Sequence, residues 1–146
     1  MKRLLLSLLF ILFAIVLFGQ NYDREQARNY IRKDVEMSRK NLPYTSAYLT
    51  VVNAEIKEHG FITYFVIDDT KVNFENAVRE FDSNKEARFK HQIHKRFEYT
   101  KNLMLSGFNM GYVFRSKKTN KVKVIAYMAN DIKEDFFEEL KIINSQ

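Results

Sequence analysis

Between Tyr22 and about Leu42 the apolar residues Ala27, Ile31 and Val35 recur every four positions among charged ones. That spacing predicts one buried stripe on an amphipathic helix. Pro43, the only proline of the chain, is placed to end it. Tyr48, Thr50, Val52, Ala54 and Ile56 then alternate with Asn53, Glu55 and Lys57. This pattern predicts a strand with one solvated face. Lys57-Glu58-His59-Gly60 reads as a turn in which the glycine can supply a positive φ. Phe61 to Ile67 is apolar at nearly every position, which predicts a partner strand covered on both faces.

After this hairpin, Asp68 and Asp69 offer capping oxygens, and Phe74, Ala77, Val78 and Phe81 fall on one face of a short helix. Ser83-Asn84-Lys85-Glu86 has the form of a capping box and predicts a longer helix with the stripe Phe89, Ile93, Phe97 and Met104, stopped by Gly107. Met110, Tyr112 and Phe114 alternate as a third strand. Arg115 to Asn120 is a polar turn, and Val122 to Ala129 a fourth strand. Asp131-Ile132-Lys133-Glu134 caps a last helix carrying Ile132, Phe136, Leu140 and Ile143.

The predicted fold class is therefore α+β, in the order α-ββ-α(α)-ββ-α, with helices packed on an antiparallel four-stranded sheet. Sliding the chain by 62 places lays Ala27, Ile31 and Val35 on Phe89, Ile93 and Phe97, Asp69 on Asp131, and Phe74, Val78 and Phe81 on Phe136, Leu140 and Ile143. Two αββα units related by internal duplication would give this match, and so would two hairpin-helix units patterned alike.

The first residues differ in kind from the rest. Lys2 and Arg3 precede an apolar run from Leu4 to Phe18, and Gly19-Gln20 follow. This is the three-part pattern of a secretion signal, predicted over residues 1–20, with a single α+β domain over 21–146. At 15 residues the run is shorter than the roughly 20 that span a bilayer, which argues against the alternative of an uncleaved anchor. No integral membrane span is predicted once the signal is removed. Without Lys2 and Arg3 the 24 basic residues become 22 against 18 acidic, a mild +4. That charge fits contact with a protein or another envelope component, and export speaks against nucleic acid as a partner. The absence of cysteine excludes disulfides, zinc-thiolate sites, thiol catalysis and a lipid-modified N-terminal cysteine.

Asn41-Leu42-Pro43, Thr50 and Val52, Tyr64, then Gly107 with Tyr112 and Phe114, and Asn130-Asp131 form a series of short motifs spread over most of the chain beyond the leader. In this series the chain resembles a group of small exported bacterial proteins with a helix, hairpin, helix, hairpin pattern. The resemblance implies export and fold, and adds no mechanism.

Three constellations bear on chemistry. His91, His94 and Glu98 stand at i, i+3 and i+7, so one continuous helix would present them together as ligands for zinc, copper or nickel. Lys90, Lys95 and Arg96 crowd the same segment and oppose a cation, so the blander reading is a solvated face. Arg115, Lys117, Lys118, Lys121 and Lys123 surround the second hairpin turn, as a contact for lipid headgroups or acidic glycans or as solubilising charge. Asp68 and Asp69 read as caps before they read as catalytic or metal-binding carboxylates. No Ser-centred nucleophile elbow, HExxH, glycine-rich phosphate loop or calcium loop is present. The expectation is an exported, non-enzymatic binding or interaction protein of the cell envelope, without cofactor, using a sheet face or groove lined by aromatic side chains. The alternative is an envelope enzyme or metal-binding protein built on His91, His94 and Glu98.

Overall fold

The computed structural model describes residues 23–145, and the predicted signal with its boundary lies outside them. α1 covers residues 23–39, and Ala27, Ile31 and Val35 are all buried, as their spacing requires. Five strands follow in two groups. β1 (Tyr44–Ser46), β2 (Leu49–Lys57) and β3 (Gly60–Ile67) precede the helices α2 (Phe74–Ser83), α3 (Lys85–Lys95) and α4 (Phe97–Ser106). β4 (Asn109–Ser116), β5 (Val122–Tyr127) and α5 (Ala129–Asn144) complete the chain.

The strands form one sheet in the order β1-β2-β3-β4-β5. β1, β2 and β3 pair antiparallel, as do β4 and β5, but β3 and β4 run parallel. The α+β class is as expected. The four-stranded antiparallel sheet is not: there is a fifth strand, and the two hairpins meet through a parallel pair. A parallel neighbour requires the chain to return to the end where it started, and the three helices between Ile67 and Asn109 make that crossover. β1 escapes a periodicity reading because three exposed residues carry no apolar alternation.

Register shows which face carries the core. Phe61, Phe65 and Ile67 of β3 align with Met110, Phe114 and Ser116 of β4, and Met110 aligns with Tyr127 of β5. These side chains join the helices in two apolar clusters. The larger takes Ile31 and Val35 of α1, Phe89 and Ile93 of α3, Leu103 of α4, and Ile132 and Phe136 of α5. The smaller seats Phe74, Ala77 and Val78 of α2 on Phe65, Ile67 and Phe114. The opposite face carries Ile62, Tyr64, Val66, Val113 and Val124, none of which belongs to either cluster. Val124 is 67% exposed. The expectation that β3 is covered on both faces is thus corrected. Its continuous apolar run serves a packed face and an open one.

Several local expectations also change. β2 does not keep one alternation, because a bulge between Val51 and Asn53 switches faces. Leu49 and Val51 therefore join Ala54 and Ile56 toward the helices, opposite Ile67 and Phe65. The predicted long helix is broken at Arg96, so Phe97 begins α4 and stands 41% exposed. No capping box forms at its start, since Ser83 closes α2 and its hydroxyl donates to the Glu80 carbonyl. α2 is capped by Asn73, whose Oδ1 accepts from the Asn76 amide, rather than by Asp68 or Asp69. α5 begins at Ala129, two residues before Asp131, and the Ala129 amide donates to Asn109 Oδ1 on β4. Gly107 does end α4 in the left-handed region, at φ 65°. Gly60 is required for space rather than for positive φ: a Cβ there would lie 2.1 Å from the Asn109 carbonyl oxygen.

Candidate functional site

α3 crosses above β4 and β5 without closing onto them, and a cleft of about 580 Å³ remains. Its floor is Met110 and Tyr112 of β4 with Tyr127 of β5. Phe81 at the end of α2 and Phe89 of α3 wall it, and Lys85, Ala87, Arg88 and His91 of α3 complete the rim. A smaller hollow of about 240 Å³ beyond Phe81 and Arg88 is lined by Tyr48, Ile67 and Phe114 among others. Tyr112, from the Met110, Tyr112, Phe114 alternation, and Tyr127, within the predicted fourth strand, line the cleft, whereas Phe61, Phe65, Phe108 and Phe114 are core and Tyr64 lies on the open face.

The aromatic floor is held firmly. Phe81 meets Tyr112 edge-on at 5.1 Å, and Phe89 meets Tyr127 in the same way at 5.5 Å. Arg88 lies over the Phe81 ring, its Cζ 3.6 Å from the centroid, and donates to the Phe81 carbonyl. Burial pulls the Arg88 guanidinium below its ordinary pKa, opposed by the charge of Asp82 and by Tyr112. Among the described residues no carboxylate lies within ion-pair distance of it. Burial likewise pushes the Tyr112 hydroxyl upward. Its hydrogen bond is to the Met110 sulfur at 3.5 Å, and a thioether is a weak acceptor. Tyr127 is also pushed up by burial and donates to Asp135 of α5. Lys85 sits over its ring at 5.3 Å.

Periodicity did not mark Arg88. The signal was available: Lys85, Arg88 and Gln92 fall at i, i+3 and i+7 along the same arc as Phe89. Cationic and polar residues on the inward side of a helix mark a place where it does not seal against the sheet.

The histidine set separates. His91 is exposed at the cleft rim, while His94 turns to α5, its Nε2 2.8 Å from Oε1 of the buried Glu139. Glu98 lies beyond the break at Arg96, exposed on α4. The one-face arrangement needed an unbroken helix. Among the described residues no group of three His, Asp or Glu side chains is placed to hold a metal ion. The basic turn is largely occupied by intramolecular pairing: Lys117 reaches Asp68 at 3.6 Å, and Lys121 and Lys123 both reach Glu75. Asp69 accepts from the Ser116 hydroxyl at 2.6 Å and the Lys118 amide at 2.9 Å. It tethers the β4–β5 turn.

Among the described residues no helix is long and apolar enough to cross a membrane. No protein-family model matches the chain, and no curated protein matches it in sequence. Solved structures do match in fold. The type II secretion pilotin EpsS of Vibrio vulnificus superposes with a TM-score of 0.60 at 10% identity, over 77% of this chain and 96% of that one. The type II secretion pilotin AspS of Vibrio cholerae gives 0.55 at 13% identity, over 79% and 96%. A Pseudomonas aeruginosa protein provisionally described as secreted gives 0.54 at 12% identity, over 75% and 96%. At these identities the likeness is one of fold alone.

Proposed function

We infer that this chain is an exported, non-enzymatic binding protein of the bacterial cell envelope, and that the cleft beneath α3 is its binding site. The observation that carries the reading is the cleft itself: a preformed aromatic floor with a few polar groups aimed into it. The positive start and short apolar run of residues 1–20 support export. The fold shared with two secretion pilotins and with a protein described as secreted supports the same compartment. The partner is a protein or another envelope component. A fold is not a function, so the weight rests on the cleft rather than on the neighbours.

Two measurements test this. Intact mass of the protein recovered from the producing cell should correspond to a chain beginning near Gln20, outside the cytoplasm. A mass that includes Met1, in the membrane fraction, would turn the leader into an anchor. The uncharged apolar dye Nile red should bind the purified protein saturably at one site. Ala87→Trp, which places an indole at the cleft rim, should abolish that binding and leave the melting temperature unchanged. Dye binding indifferent to Ala87→Trp would remove the cleft from the account.

A further inference from the structure

We propose that the cleft takes a long-chain monocarboxylate, with the alkyl chain on the aromatic floor and the carboxylate held by Arg88 and the Tyr112 hydroxyl. The proposal rests on the reading of the cleft as the binding site and specifies its ligand. Two donors line this largely apolar space, and among the described residues neither meets an anionic acceptor. Arg88 has no carboxylate partner among the described residues, and the Tyr112 hydroxyl reaches only a thioether sulfur. A half-buried guanidinium left in that state has lost water and gained only a ring face and a carbonyl. A carboxylate would offer the arginine a charge-assisted bond and the hydroxyl a stronger acceptor than a thioether. Charge complementarity points the same way. The lining includes Lys85, Arg88 and His91 and no acidic residue.

Apart from the Asn84 and Gln92 amides at the helix side, the rest of the lining is apolar and suits a ligand whose polarity is confined to one end. Phe81, Phe89, Met110, Tyr112 and Tyr127 offer rings, methylenes and a thioether to whatever lies on them. A peptide would bring a backbone donor and acceptor with every residue, and each needs a partner when buried. An alkyl chain makes no such demand. The cleft's volume falls within the range of small-ligand sites, roughly 300–1,000 Å³.

Palmitate and hexadecanol, which share a chain length and differ in the anionic head, test the assignment by displacement of Nile red and by calorimetry on the purified protein. Palmitate should bind saturably at one site and displace the dye, and hexadecanol should bind at least about tenfold more weakly, since hydrogen bonds to a charged group are the stronger class. Arg88→Gln should weaken palmitate by a similar factor and leave hexadecanol unchanged. Tyr112→Phe, which keeps the ring on its neighbours and guards against a folding defect in the arginine variant, should weaken palmitate by roughly threefold or more. Equal binding of palmitate and hexadecanol, or palmitate binding indifferent to both substitutions, would overturn the proposal. So would an acidic amphipathic peptide that displaces Nile red where palmitate does not, because it would assign the cleft to a protein partner. In each of these outcomes the dye would still occupy the cleft, so the binding reading would stand and the ligand alone would fall.

Discussion

Phe65 stacks on Phe114 with centroids 4.9 Å apart and planes 13° from parallel, and Phe81 tilts against it at 5.7 Å. Removing the Phe65 ring would leave a cavity under α2, so Phe65→Ala should destabilise by about 3–5 kcal/mol in denaturant unfolding. An unchanged unfolding midpoint would refute the packing described. Gly60→Ala should cost about 1–3 kcal/mol, because the new Cβ meets backbone on β4 rather than a side chain that can swing away. Asp69 links residue chemistry to pH. Its carboxyl is held below the ordinary aspartate value, first by the Ser116 hydroxyl and then by the Lys118 amide. A group depressed in the folded state contributes stability above its unfolded pKa of about 3.9, and that contribution is lost as pH falls through the folded value. The wild-type unfolding midpoint should therefore decline on acidification below about pH 4 more steeply than that of Asp69→Asn. Parallel acid-side profiles would show that the turn tether carries no linkage.

At the scale of elements, the helix stripes were legible in the sequence and the junctions were not. α1, α2 and α5 follow their apolar spacing because a continuous helix buries every third or fourth residue. The break at Arg96 is invisible to that pattern. Arg96 leaves the helical region there, at φ −139° and ψ 56°, and its Nη2 donates across to Asp34 on α1 at 2.6 Å. The β2 bulge is hidden for a related reason, since one inserted residue exchanges faces without altering composition. The direction of β4 relative to β3 depends on how three helices pack, which no local window contains. The candidate site was legible in its aromatics and not in Arg88, because a cation among apolar residues reads as a solvated face until the sheet beneath it is known. The break also sets a different fate for the histidines. His94→Ala should destabilise by about 1–3 kcal/mol by leaving the buried Glu139 carboxylate without its partner, whereas His91→Ala should be near neutral. Zinc should leave the melting temperature of the wild-type protein unchanged, because a ligand bound by the native state alone would raise it by linkage. A zinc-dependent rise abolished by His91→Ala and His94→Ala combined would restore the metal reading.

The described residues form two layers, with helices on one sheet face and none of the described elements on the other. Two apolar surfaces result, the cleft under α3 and the open stripe of Ile62, Tyr64, Val66, Val113 and Val124. They differ in what borders them. On the open face Glu55 accepts from Tyr64 at 3.2 Å and pairs with Lys57 at 2.7 Å, so its polar groups are already satisfied within the sheet. In the cleft, among the described residues, Arg88 has a carbonyl but no carboxylate and Tyr112 has a thioether alone, which marks that surface as the one suited to an anionic ligand. The central claim is that the exported protein binds through the cleft and not through the open sheet. Photo-crosslinking in the producing bacterium tests it most directly, with a photoreactive amino acid placed at Ala87 in one strain and at Val124 in another, and adducts read by mass spectrometry of the envelope fraction. The account predicts a discrete adduct of defined mass from position 87 and none from position 124. A discrete adduct from position 124 with none from 87 would contradict it and make the open sheet the binding face.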